Sequence, residues 1–182
     1  MAQKDYKLEI VLVLLKDRSH IRDIAKKLGI NHMMIVRKMN KLVKNNSVDF
    51  QQEGKNKVYF LKNNIEAQEY VYMAEHYNLL KTLTNYPGLR KIIENIRNNK
   101  KITMTLLFGS YAKGLAKKDS DIDVFIETTN RDIKKEINLI DTKMNVKIGK
   151  YDRDSLLIKE IEKNHVVLKG VNKYYERKKF FN

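Results

Sequence analysis

Residues 106–126 read LLFGSYAKGLAKKDSDIDVFI. An apolar run breaks at Gly109 and Ser110, crosses a polar stretch, and returns as a second apolar run that contains Asp121 and Asp123. Successive side chains of a strand point to opposite faces. Ile122, Val124 and Ile126 therefore point to a core, and Asp121, Asp123 and Phe125 share the other face. Two carboxylates two residues apart on one face repel unless a positive charge stands between them. A hard divalent cation such as Mg2+ takes oxygen ligands of this kind and commonly keeps phosphate oxygens too. The Gly109-Ser110 turn lets backbone N–H groups and a hydroxyl come close to a phosphate, since glycine has no side chain in the way. Lys113 adds positive charge. A lone Gly-Ser is an ordinary turn and a lone Asp-x-Asp an ordinary solvated strand end; their ordered combination is what constrains the chain.

The stretch FGSYAKGLAKKDSDIDVFI resembles the minimal nucleotidyltransferases of the DNA polymerase beta-like superfamily, and a weaker resemblance extends over residues 88 to 182. It implies a small mixed-sheet α/β domain. It further implies that Gly109, Ser110, Lys113 and Ser120 hold a nucleoside triphosphate, and that Asp121 and Asp123 are catalytic and bind Mg2+ or Mn2+. Active members of that superfamily use a third carboxylate on a neighbouring strand. The next strand candidate is KMNVKIGKY, residues 143–151, in which Met144, Val146 and Ile148 point inward. Its other face holds Asn145 and Lys147, so Asn145 stands where the third acid is expected. An amide oxygen can ligate a metal but cannot serve as a carboxylate base. Glu127 shares the face of Asp121 and Asp123 at the strand's end and is a substitute candidate; Asp141, Asp152 and Asp154 read as turn or cap residues. Three outcomes stay open: weak nucleotide transfer, binding of a metal–nucleotide complex without turnover, and a relic scaffold. His165, in the tail, reads as structural.

Residues 1–62 read as a second unit. Tyr6 to Lys16 is a short apolar-rich helix. Ser19 is placed to cap IRDIAKKLG, with Gly29 as its stop. Asn31 is placed to cap HMMIVRKMNKLVKN, whose stripe of Met34 or Ile35, with Met39 and Leu42, faces a core. Alternation at Val48, Phe50, Val58 and Phe60 around the turn QQEGKNK gives a hairpin. This order resembles the winged helix-turn-helix family of DNA-binding domains. The resemblance implies double-stranded DNA as partner, with Asn31, His32, Met33, Arg37, Lys38 and Lys41 toward the major groove and Lys55 and Lys57 on phosphates. A domain of this shape used only for protein contact is the competing reading.

Charge favours the DNA reading. The chain carries a net +15, and residues 1–62 hold 14 Lys/Arg against 6 Asp/Glu, about half of the excess in a third of the length. Such a field suits a polyanion. With 42% hydrophobic residues the chain can bury cores, and with no cysteine it has neither disulfides nor thiolate metal sites. The apolar stretch Ile10 to Leu15 is too short to span a membrane, so a cytoplasmic location is expected. From Ile65 to Tyr86 there is neither Gly nor Pro, which predicts one long connecting helix, a dimer contact or an intramolecular packing element. Pro87 suits the first position of the next helix.

The expected fold class is α+β: a winged helix at 1–62, a helical connector at 63–87 and a nucleotidyltransferase-like domain at 88–182. The implied function is a DNA-binding regulator, expected as a homodimer, that transfers a nucleoside monophosphate from an NTP to a protein hydroxyl. By the same resemblance it is an antitoxin acting on a toxin partner. The alternative is a winged-helix regulator whose second domain is inactive and serves nucleotide sensing or dimerisation.

Overall fold

The computed structural model describes residues 4–181, and the chain divides into two compact units, the first reaching Tyr77 and the second spanning Asn78–Phe180. In the first, α1 (Tyr6–Leu14) starts at Asp5, whose carboxylate accepts from the Lys7 amide at 2.9 Å. A two-residue strand β1 (Ser19–His20) leads directly into α2 (Ile21–Leu28), which ends at Gly29 with φ +64°, a left-handed stop that glycine adopts without strain. Asn31 Oδ1 accepts from the Met33 amide at 2.7 Å and opens α3 (His32–Lys44). The hairpin β2 (Val48–Glu53) and β3 (Asn56–Leu61) follows, and β1 joins it to give the antiparallel order β1-β3-β2. Ile10 and Val11 of α1, Ile24 of α2, and Ile35, Met39 and Leu42 of α3 are 0% exposed.

One expectation is corrected here. Ser19 does not cap α2: it is buried in β1 opposite Tyr59, and the helix begins after His20 with no side-chain cap. A cross-sheet partner far along the chain takes the residue that local sequence offers to the helix.

Helix α4 (Ile65–Asn85) is continuous over 21 residues. Helix α5 (Leu89–Asn98) starts two residues after Pro87, with Gly88 at its N-cap, so Pro87 lies outside the helix rather than at its first position. The second unit then lays down β4 (Thr105–Leu107), a single turn α6 (Gly109–Ala112), β5 (Ile122–Glu127), α7 (Arg131–Asn138), β6 (Met144–Gly149), α8 (Leu156–Lys163), β7 (Val166–Lys169) and α9 (Val171–Lys178). The strands order as β6-β5-β4-β7, with β5 and β6 parallel across α7 and the other pairs antiparallel. The ladder of β4 is shorter than the run Ile102 to Phe108 suggests, although Ile102 and Met104 are buried too.

One sheet face, with Leu107, Val124, Ile126, Val146, Val166 and Leu168, shares a core with Ile92, Ile93 and Ile96 of α5 and Ile133 and Ile137 of α7. The other face is buried only in part. Leu106, Phe125 and Val167 are covered, as are Ile158, Ile161, Tyr174 and Tyr175 of the last two helices. Asp123 and Asn145, on the same face, stay half-buried. Lys169 ends β7 by donating its ammonium to the carbonyls of Arg97 at 2.9 Å and Asn99 at 2.8 Å, which closes the C-terminus of α5.

Candidate functional site

Strand β5 places Asp123 by alternation. Its neighbours Ile122 and Val124 are held in the core, so Asp123 has to face the opposite way. Asp121 lies one residue before the strand and is exposed. The Asp123 carbonyl accepts from the Phe108 amide at 2.9 Å, which carries the β4–β5 pairing up to the Gly-Ser turn. Gly109 then takes φ +69°, and a Cβ built on it would stand 2.2 Å from Asp123 Oδ2. A side chain enters that gap only if the Asp123 carboxylate moves. The turn and the carboxylate are thus in direct apposition, the arrangement a phosphate cradle beside a metal-binding acid requires.

Two tyrosines support the turn from behind. Tyr111, within α6, meets Tyr86 edge-on at 4.8 Å between ring centres, and burial pushes the Tyr111 hydroxyl pKa up. The Tyr86 hydroxyl accepts from the Ala116 amide at 3.2 Å, anchoring the loop that leaves the turn. Ser110 follows Gly109 inside α6 and is half-buried.

Lys113 and Ser120 have other partners. The Lys113 ammonium sits 3.2 Å from Glu160 Oε1, and this contact holds the Glu160 carboxyl below its usual range. Ser120 Oγ accepts from the Lys117 amide at 2.8 Å while its own amide donates to the Lys117 carbonyl, so Ser120 closes the turn that feeds β5.

Register brings Asn145 to the strand aspartate. In the parallel β5–β6 pair Asp123 lies opposite Asn145, and Asn145 Nδ2 donates to Asp123 Oδ1 at 2.6 Å. Asn145 therefore stands beside the acid, as an amide that engages it. Glu127 is occupied elsewhere: its carboxylate meets Arg177 Nε at 2.7 Å and its side chain is only 12% exposed. Among the described residues no group of three or more His, Asp or Glu side chains comes together as a metal site. The Asp121 and Asp123 carboxylates form a donor set of the oxygen type that a hard divalent cation takes. It does not fit a charge-balanced pair of ions, which needs a further acid.

In the first unit the expected DNA contacts separate by environment. Met33, Arg37 and Lys41 recur every fourth residue along one exposed line of α3, and His32 is exposed beside them. Lys38 is half-buried, and Asn31 uses its side-chain oxygen on the cap. Lys55 lies in the hairpin turn, and Lys57 rests 4.0 Å above the Phe50 ring, close enough for a cation–π contact. Arg18, which sequence reasoning did not single out, pairs with Glu53 at 3.1 Å.

Residues 90–174 match the family model described as polymerase beta, nucleotidyltransferase. No curated protein matches the chain. With its α+β architecture and small mixed sheet, the chain carries a nucleotidyltransferase-fold domain. No helix among the described residues is long and apolar enough to cross a membrane.

Proposed function

We propose that this chain is a winged-helix DNA-binding regulator whose nucleotidyltransferase-fold domain holds a nucleoside triphosphate with one divalent cation and does not turn it over efficiently. The observation that carries this reading is the Asn145 amide on Asp123 at 2.6 Å, beside a Gly109 cradle that a side chain enters only if the Asp123 carboxylate moves. When bound, Mg2+ or Mn2+ would neutralise phosphate charge. The chain's own groups do the rest. Gly109 and Ser110 would approach the phosphates, Asp121 and Asp123 would offer the cation their oxygens, and Asn145 orients Asp123. Among the described residues, the partner of Asp123 on the neighbouring strand is the Asn145 amide, which cannot take a proton from an attacking hydroxyl as a carboxylate would.

The DNA reading rests on the order helix, short strand, helix, helix, hairpin, on the three-stranded sheet, and on the exposed line Met33, Arg37 and Lys41. In this reading α3 enters the major groove and Lys55 and Lys57 lie at phosphates. Replacing Arg37 and Lys38 with Ala is expected to weaken DNA binding and to lower the slope of log affinity against log salt by roughly 0.9 for each phosphate no longer neutralised. Unchanged binding would refute the assignment of α3.

Calorimetric titration of Mg–ATP into the chain and into Asp121→Asn/Asp123→Asn tests the second domain. Cation-dependent binding that the variant loses supports the site. Silence from both proteins, with other NTPs also silent, leaves the fold without a ligand. Transfer of a nucleoside monophosphate to a protein hydroxyl, in the manner of an antitoxin modifying its toxin, is the second reading; the intact Gly109–Asp123 apposition favours it. Labelled nucleotide appearing on a co-expressed neighbouring gene product would select it.

A further inference from the structure

Between its first turn and its terminal Asn85, the exposed residues of α4 run Glu69, Met73, His76, Leu80 and Thr84, and the line begins at Ile65. Their spacing of three and four places them along one side of the helix. Three of the six are large and apolar, with Ile65 69%, Met73 45% and Leu80 62% exposed. A surface helix ordinarily keeps charged and polar residues on that side. Glu66, exposed in the same first turn, is turned aside to the Asn46 amide at 3.0 Å. Isolated exposed apolar residues are commonplace, whereas three at steps of eight and seven form a seam.

The order of residues along this seam is self-complementary. A second copy laid antiparallel, with a two-fold axis passing between residues 72 and 73, sets Ile65 against Leu80 and Leu80 against Ile65. The two Met73 side chains meet near the axis, where a flexible thioether fills irregular space well. Glu69 then faces His76 of the other copy on each side of the axis, a carboxylate opposite an imidazole N–H donor. A parallel pair would instead set Glu69 on Glu69 and His76 on His76. Apolar and polar partners both favour the antiparallel register, and a two-fold contact repeats every favourable pair.

We propose that the chain forms a two-fold homodimer through the exposed face of α4, antiparallel, with Glu69 of each copy paired to His76 of the other. This holds independently of what the second domain binds.

Sedimentation equilibrium on the full chain across a concentration series tests it, with circular dichroism as the check on folding. The wild type is expected to self-associate as a dimer. Glu69→Lys, which sets a cation opposite His76, and His76→Glu, which sets two carboxylates together, are each expected to weaken the dimer by roughly tenfold or more. The double variant Glu69→Lys/His76→Glu restores an opposite-sign pair and is expected to recover most of the affinity. Met73→Lys is expected to leave a folded monomer. A wild type that stays monomeric, or a dimer indifferent to Met73→Lys, overturns the proposal. Failure of the double variant to recover overturns the antiparallel register.

Discussion

Replacing Gly109 with Ala separates backbone strain from the close approach to Asp123. Gly109 sits at φ +69° and Gly114 at φ +71°, but a Cβ at 114 would meet nothing within 4 Å, whereas one at 109 would stand 2.2 Å from Asp123 Oδ2. Holding an L-residue in the left-handed region costs roughly 1–2 kcal/mol, and both variants carry that. Only Gly109→Ala must also move the Asp123 carboxylate. That carboxylate is held by Asn145 at 2.6 Å, and a hydrogen bond to a charged group contributes about 1.5–3 kcal/mol. The expected destabilisation is about 2.5–5 kcal/mol for Gly109→Ala against about 1–2 kcal/mol for Gly114→Ala, taking these contributions together. Urea unfolding followed by circular dichroism measures both, with Asp123→Ala as the third corner of a cycle. In the Asp123→Ala background the Gly109→Ala penalty is expected to fall toward that of Gly114→Ala, short of it by the remaining 3.3 Å approach to the Cβ of residue 123. Equal penalties for the two glycines in the wild-type background would refute the reasoning, because they would mean that the turn does not press on the acid.

Asn145→Asp is expected to raise Mg2+-dependent release of pyrophosphate from NTP by about a hundredfold, the low end of what a placed general base supplies. Rates equal to wild type would show that something other than the missing acid limits turnover. Tyr77 donates to Glu9 at 2.9 Å, and burial followed by that hydrogen bond pushes its pKa from 10.0 up to about 12. Above the unfolded value the unfolded chain binds fewer protons than the folded one, so stability falls as pH rises from 10.0 toward about 12. Urea midpoints across that window should slope downward, and Tyr77→Phe should flatten the slope.

The sequence exposes those parts of the fold whose causes are local. Gly29, Asn31 and the hairpin after α3 announce themselves by backbone and side-chain preferences that act within a few residues, and the structure has each of them in place. The alternation of Ile122, Val124 and Ile126 fixes the direction of Asp123, and the alternation of Met144, Val146 and Ile148 fixes that of Asn145. What the sequence hides depends on partners far along the chain. Ser19 pairs with Tyr59 across the sheet and Glu127 with Arg177. Each is polar and looks available in a one-dimensional reading. Phe125 shows the same limit: it shares the face of Asp123, yet it is only 2% exposed. Alternation along β5 cannot tell that this face is covered at one end and open at the other.

The in-register pairing of β5 with β6 also bears on how this domain changes over generations. Codons for asparagine and aspartate differ by a single base, and position 145 is half-buried on a face whose packing is carried by other residues. A lineage can therefore exchange the amide for an acid in one mutational step, with the ladder still delivering the new side chain to Asp123. One codon thus separates an amide from an acid beside Asp123, and the sheet that presents either side chain is the same in both.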